Sequence, residues 1–366
     1  MNAAPCTGIL EADSRGFGFA RPLTTDLHRS PDDCFVPPTV MTRFRLRPGV
    51  LIEGTAQDRV GKSPQLTTLT RVNGLSPEEW AALKEFSAHE VVSPDQWIRL
   101  EGKNNDPAMR VIDLFCPIGR GQRGLIVSPP KAGKTILIQQ LAHAISTNYK
   151  EIEVVVLLID ERPEEVTDIK RNIRGQVFAS SSDTDRANQT RLAQLALEFA
   201  KRSVETGRDV VMLLDSLTRL GRAFNISQKS SGRTLSGGVD IRALEIPKRI
   251  FGAARKLEGH GSLSIIASAL IETNSRMDEL IFEEFKGTGN MEVVLDRTLA
   301  NERIFPAINL SLSGTRREEL LFGHATGDYQ RLRRSIARLS PKDGMLTVLR
   351  LTQQYPTNDD LLSHLR

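Results

Sequence analysis

The 366-residue chain is long enough for two or three domains around a sizeable core, which excludes a disulfide-stapled mini-protein. With 39% apolar and 26% charged residues, it has the composition of a folded globular protein and not of a disordered or fibrous one. The 49 Lys and Arg against 45 Asp and Glu leave a net charge of +4, too small an excess to name a partner.

In chain order, residues 1–75 predict five short strands at 8–12, 16–20, 34–37, 50–56 and 66–72, punctuated by Gly, Pro and Asp. That spacing suggests a small barrel of the oligonucleotide-binding type. Residues 76–110 read as a linker that opens on a capping pattern, Ser76-Pro77-Glu78-Glu79, and continues through a polar run at 101–107. From residue 111 to 366 the pattern changes to buried aliphatic strands alternating with helices, with strands at 124–127, 154–159, 210–214, 263–270 and 308–312. Such runs belong to a parallel sheet covered on both faces, so the fold class is α/β. The longest aliphatic run, Val154 to Ile159, is far too short to cross about 30 Å of hydrocarbon, and no signal-peptide layout opens the chain. The expected location is cytoplasmic, with no membrane partner. Cys6, Cys34 and Cys116 are too widely spaced for a zinc ribbon or a redox pair.

The chemistry starts after the first aliphatic strand of the α/β region, at Ser128-Pro129-Pro130-Lys131-Ala132-Gly133-Lys134-Thr135, with Ile136 opening an amphipathic helix. A strand, a tight loop and Gly-Lys-Thr at a helix start place backbone N–H groups and the positive helix end around phosphates. Lys134 would reach the outer phosphates and the Thr135 hydroxyl would bind magnesium, although the strict pattern has Gly where Ser128 stands. Asp215 ends the strand 210–214, at the sheet edge where open α/β folds hold ligands, and suits a magnesium-associated acid. Glu161 lies just past the strand 154–159 and can orient or deprotonate an attacking water. Hydrolysis also calls for a cation from outside the loop, supplied in ring motors by the neighbouring subunit. Arg303, Arg316 and Arg317 are all candidates by spacing. Between residues 219 and 256, nine Lys or Arg face only Asp240 and Glu245, a net of +7 and the stretch most suited to a polyanion.

Four runs then carry a resemblance: Cys116-Pro117-Ile118-Gly119-Arg120-Gly121-Gln122-Arg123-Gly124, the phosphate loop from Pro129 to Thr135, Ile159-Asp160-Glu161-Arg162-Pro163-Glu164-Glu165-Val166, and Phe285-Lys286-Gly287-Thr288-Gly289-Asn290. Together they resemble the bacterial transcription termination factor Rho family, from about Gly8 to the C-terminus. The resemblance implies a homohexameric, RNA-dependent ATPase and translocase with a RecA-type P-loop core, acting with ATP and Mg2+ on single-stranded RNA and on the RNA polymerase elongation complex. It implies phosphate and nucleotide contacts from Lys131, Ala132, Gly133, Lys134, Thr135 and Ile136, and keeps a small residue other than Gly at Ser128. It makes Glu161 the catalytic base, Asp215 and Thr135 the magnesium-side groups, and Arg162 the sensor of the terminal phosphate. Arg316, within Ser313-Gly314-Thr315-Arg316, becomes the arginine acting in trans, and Phe305 the platform for adenine.

For RNA the resemblance implies two sites. In the cold-shock-like barrel, Gly16-Phe17-Gly18-Phe19-Ala20-Arg21 places Phe17, Phe19 and Arg21 on a strand whose alternate aromatics stack on bases, with Phe35 nearby. The family's pyrimidine pocket uses an aromatic and an acid where this chain has Ser63-Pro64-Gln65-Leu66-Thr67, so base preference stays open. The channel site is implied at Leu235, Ser236, Gly237, Gly238, Val239 and Asp240, with a second loop at 272–277 in which Arg276 stands where lysine is usual. Family members usually carry a helical subdomain ahead of the barrel. The barrel here starts near residue 7, which implies weaker nonspecific RNA affinity. Two other functions fit parts of the pattern: a rotary ATP synthase catalytic subunit, and a catalytically silent RNA-binding ring. The aromatic barrel speaks against the first, and the acids with Arg316 against the second.

Overall fold

The computed structural model describes residues 3–181, 185–227, 238–240 and 242–365. Leu235, Ser236 and Gly237 of the expected channel loop lie outside them.

Five strands, β1 (Ala3–Ala12), β2 (Gly18–Arg21), β3 (Cys34–Val36), β4 (Leu51–Arg59) and β5 (Lys62–Val72), close into a barrel in the order β1-β2-β3-β5-β4. Alternation along them turns Cys6, Leu10, Ala20, Val36, Ile52, Ala56 and Leu66 inward to form a core of their own. The capping pattern at Ser76 is realised in full. Its side chain accepts from the Glu79 backbone while the Glu79 carboxylate accepts from Ser76 N at 2.9 Å, starting the helix Pro77–Ala82.

The segment expected to be a linker is woven into the second layer instead. Phe86 is buried in the α/β core, and β6 (Val91–Val92) pairs antiparallel with β11 (Arg255–Leu257). The helix Pro107–Phe115, capped by Asp106, runs across the expected boundary at residue 110.

The main sheet follows the order β14-β13-β7-β12-β10-β8-β9, where β7 is Arg123–Ser128, β8 Ile152–Glu161, β9 Gln176–Ser181, β10 Asp209–Asp215, β12 Ser262–Leu270, β13 Met291–Val294 and β14 Gly314–Thr315. β7 through β10, β12 and β13 pair parallel. Of these, β7, β8, β10 and β12 are buried on both faces, which is why they read as nearly continuous aliphatic runs. The strand expected at 308–312 does not form. Ile308 makes a single bridge to Leu295, then the Asn309 side chain accepts from Leu312 N and Ser313 Oγ donates to the Asn309 carbonyl at 2.7 Å. Side-chain bonding turns the backbone there, and the apolar pattern reflects burial of Ile308 and Leu310 alone.

The barrel docks along the helix Arg186–Glu205. Arg47 makes a two-pronged pair with Glu205 at 3.0 and 2.8 Å, and Glu205, wholly buried, also accepts from Phe86 N at 2.7 Å and pairs with Arg202. Further along the helix, Arg191 pairs with Glu11 of β1 at 3.0 Å. Among the described residues, no helix is long and apolar enough to cross a membrane.

Candidate functional site: a nucleotide pocket and an aromatic barrel face

β7 delivers the chain to the phosphate loop at Ser128, and the helix Lys134–Asn148 carries it away. The loop turns through left-handed backbone at Lys131 (φ 67°) and Gly133 (φ 89°). At Gly133 a side chain would be strained by that φ, and its Cβ would come within 3.4 Å of the Phe305 ring. Phe305 is 46% exposed although large and apolar, as is Ile136 at 61%, so two apolar surfaces stand open beside the loop. Lys131 is exposed, Ala132 buried and Thr135 half-buried.

Behind the loop the carboxylates converge. Asp215 ends β10, forms an ion pair with Lys134, and accepts a hydrogen bond from Ser268 Oγ of β12 at 2.8 Å. Glu161 ends β8 and is 2% exposed; its Oε1 accepts from Arg219 at 3.2 Å. Burial, and next the charge of Asp215, push the Glu161 carboxyl above the usual carboxylate range, with Arg219 and Lys134 pulling the other way. One oxygen of each acid, Glu161 Oε2 and Asp215 Oδ2, is buried without a hydrogen-bond partner. Leaving such atoms bare costs about 1–3 kcal/mol each, more when charged, so the site is built for something that supplies donors or positive charge. A Mg2+–nucleotide and its attacking water fit that donor set.

The arginines separate by register. β14 pairs Thr315 with Met291 of β13, and Met291 with Gly124 of β7. Arg316 is therefore level with Arg123, at the opposite end of β7 from Ser128. Five residues of strand, roughly 17 Å, lie between, further than an arginine extends. Arg316 is exposed, and no hydrogen bond or ion pair holds its side chain among the described residues, whereas Arg317 donates to Ser93 Oγ at 2.9 Å. Arg162 is exposed and likewise free. Arg303 sits two residues before Phe305, on the side of its own loop.

Two members of the pocket escaped the sequence reading. Arg219 was counted only as part of a basic stretch, although its place four residues after Asp215 on the helix Leu217–Ser227 was a usable signal. Ser268 interrupts the aliphatic run of β12, the other available hint. Four of the nine cations in the basic stretch are spent on acids from elsewhere: Arg219 on Glu161, Arg222 on Asp278, Lys248 on Glu284 and Lys256 on Asp95. Lys229 and Arg233 lie outside the described residues.

On the barrel, Phe19 is registered opposite Phe35, and Phe17 completes a triangle with ring centroids 5.4 to 5.8 Å apart. An arginine lies over each ring: Arg15 over Phe17 at 4.7 Å, Arg21 over Phe19 at 4.9 Å and Arg59 over Phe35 at 5.1 Å. A groove of ≈ 620 Å³ runs past Phe19 and Phe35 to Arg59, Lys62 and Ser63. Arg21 is only 6% exposed and is consumed by Glu11 (2.6 Å) and Asp33, so it braces the face from behind and does not present its charge.

Of the expected channel loop, Gly238 (φ 78°) has open space around it. Val239 is fully buried in the α/β core, which removes it from any surface a strand could touch. Arg276, exposed and unpaired among the described residues, opens the helix Arg276–Lys286. Its loop is fixed by Thr273 Oγ1 donating to Asp278 at 2.6 Å, and Asp278 in turn holds Arg222 by two bonds of 2.7 and 2.6 Å.

Residues 6–78 match the family model of the Rho termination factor RNA-binding domain, and residues 108–315 that of the ATP synthase alpha/beta family nucleotide-binding domain. Transcription termination factor Rho of Cereibacter sphaeroides is 51% identical over 321 residues, covering 86% of this chain and 76% of the relative. This chain belongs to the Rho family. Rho of Allochromatium vinosum is 46% identical over 368 residues, covering 98% of this chain and 87% of its own. Among solved structures, a prototypical ATPase from the type III secretion system of pathogenic bacteria superposes with a TM-score of 0.63 at 20% identity, covering 84% of this chain and 93% of that one. That likeness is one of fold. It places the Rho-family chain among RecA-type cores with a parallel sheet, and the second family match reflects the same core.

Proposed function

We propose that this chain is an RNA-stimulated ATPase that assembles as a homohexameric ring, pulls single-stranded RNA through its centre and so dislodges the RNA polymerase elongation complex in the bacterial cytoplasm. The observation that carries this reading is the pairing of a nearly complete ATP pocket with an unpartnered Arg316 that cannot reach it within one chain.

In the pocket, the loop N–H groups and Lys134 take the phosphates, with Lys131 at the rim. Lys134 begins the cycle paired to Asp215, so phosphate competes with a carboxylate for the ammonium. Phe305 packs on the adenine, with Ile136 as further apolar contact. Thr135 and Asp215 would hold Mg2+, whose chemistry when bound is to neutralise charge on the phosphate oxygens. Glu161 accepts the proton of the attacking water. Its raised affinity for protons makes it a better base than an exposed carboxylate, and Arg219 fixes the carboxylate through Oε1 while leaving Oε2 free. Arg162 senses the terminal phosphate, and Arg316 of the adjacent copy supplies the last positive charge.

RNA first meets Phe17, Phe19 and Phe35, where bases stack, and then the channel loops. The loop holding Arg276 is tied through Asp278 and Arg222 to the helix that follows Asp215, which gives channel RNA a rigid lever on the nucleotide pocket. Helicase activity follows where such a ring meets a duplex. ATP hydrolysis measured with and without cytidine-rich RNA tests the reading. A rotary subunit would ignore RNA, and a silent ring would bind RNA and hydrolyse nothing. Mixing Arg316→Ala with Lys134→Ala subunits should restore part of the lost activity, and no rescue in confirmed mixed rings would refute action in trans.

A further inference from the structure

A cleft of ≈ 390 Å³ opens at the end of the sheet opposite the phosphate loop, lined by residues 91–94, Gly121, Arg123, Arg255 and Asn290 among others. It contains no carboxylate. Arg123 is the first residue of β7, its Nε is buried without a hydrogen-bond partner, and no ion pair holds it among the described residues. Arg255 opens β11, donates from Nε to the Ala253 carbonyl at 3.1 Å, and lies 5.0 Å from the centroid of Phe86; it too has no acid. Burial and the neighbouring Arg255 hold the Arg123 guanidinium below its ordinary value, as expected of two like charges sharing a half-buried site. Four other half-buried arginines, Arg47, Arg191, Arg219 and Arg333, are each paired with an acid. Two adjacent guanidinium forks without a counter-charge match an oxyanion in geometry and in charge.

The position of the cleft identifies the source. Asn290 lines it and also accepts, through its carbonyl, from Arg316 N at 2.8 Å; Ser93 lines it and accepts from Arg317. The cleft therefore lies on the Arg316 face. On the ring reading, on which this inference rests, that face meets the phosphate-loop side of the next copy. There the helix Pro163–Asn172 follows directly on Glu161 and Arg162. Its Glu164 and Asp168 are exposed, and neither side chain has a hydrogen bond or ion pair among the described residues. On that helix the free acids stand ahead of Lys170 and Arg171, which occupy its last turn, while the cleft offers cations without carboxylates.

We propose that the Arg123–Arg255 cleft is an oxyanion socket that receives carboxylates from the Pro163–Asn172 helix of the adjacent copy, a second charge contact at each interface besides Arg316. Light scattering over a dilution and salt series on the full chain reads the ring. Glu164→Lys with Asp168→Lys, an exposed pair that leaves the core untouched, should raise the concentration of half-dissociation about tenfold and flatten its salt dependence. Arg123→Glu should do the same, with Arg123→Met as the variant that keeps bulk should the reversal not fold. Combining Arg123→Glu with the two lysine substitutions should recover at least half of the loss. A ring unaffected by the exposed lysine pair, or no recovery in the combined variant with folding intact, would overturn the socket. Rings that stay intact in Arg123→Met while RNA affinity falls would overturn it in favour of a phosphodiester at the same cleft. Should the unaltered chain itself stay monomeric, the ring reading fails and the socket with it; a normal wild-type ring with indifferent variants sinks the socket alone.

Discussion

In the barrel, arginines lie over aromatic faces that remain half-exposed, whereas at the nucleotide pocket the cations are drawn onto carboxylates that are almost wholly buried. The barrel face keeps its options open: the exposed Arg15 side chain can swing off the Phe17 ring to make room for a base, and every base has a π-face to offer. The pocket is committed in advance. Lys134 on Asp215 and Arg219 on Glu161 hold the charged groups in place before a nucleotide arrives, so less reorganisation is left for the chemical step. Grip tolerates looseness and hydrolysis does not, and the same residue types are used for each by changing what lies beneath them.

That contrast can be broken most forcefully at Arg316. Arg316→Ala should lower RNA-stimulated turnover by roughly 10³ to 10⁵ while leaving RNA binding to the barrel unchanged, measured by steady-state hydrolysis beside a filter-binding titration. Next comes Glu161→Gln, which should lose about 10² to 10⁴ in turnover with nucleotide affinity nearly intact; retention of normal turnover would remove Glu161 from the role of base. Because the Glu161 carboxyl sits above its ordinary value, the base is lost by protonation as pH falls, from a higher pH than for an exposed glutamate. Asp215 is the second cause of that rise, but it also contacts Lys134, so the pH profile of single-turnover hydrolysis is the cleaner readout. A limb with the ordinary glutamate midpoint would contradict the burial argument.

Smaller effects are expected on the barrel. Phe17→Ala and Phe19→Ala should each cost about 1 to 3 kcal/mol of affinity for single-stranded RNA with little change in the salt slope, since no phosphate contact goes. Arg59→Ala should be milder still and should reduce that slope by about one unit if its guanidinium reaches phosphate. Parallel loss of RNA affinity and hydrolysis in the phenylalanine variants would erase the distinction between the two regions.

The division between what was and was not legible in the sequence follows the same line. The phosphate loop could be read because its strand, turn and helix are contiguous, and Glu161 and Asp215 because each ends an aliphatic run. Arg219 and Ser268 could not be assigned in that way, since they reach the pocket from other elements and their importance exists only after the sheet has formed. The basic stretch is partly balanced in a way no linear count shows: Glu161, Asp278, Glu284 and Asp95 arrive from distant parts of the chain and pair with four of its nine cations. Val239 and the 308–312 run show that an apolar pattern reports burial before it reports either a strand or a contact surface.

Glu205 joins these regions mechanically. One carboxylate without solvent contact fastens Arg47 of the barrel, the Phe86 amide of the connecting segment and Arg202 of its own helix, a few residues before β10 begins. At the far end of β10 stands Asp215. On the proposed reading, a pull on RNA held by the barrel would be delivered to the root of the strand whose tip is Asp215. The joint has little slack, since any partner that lets go takes a hydrogen bond or ion pair from a fully buried carboxylate. On that reading the protein is a winch whose clamp is bolted to the frame of its engine, and tension on the line is felt at the fuel port.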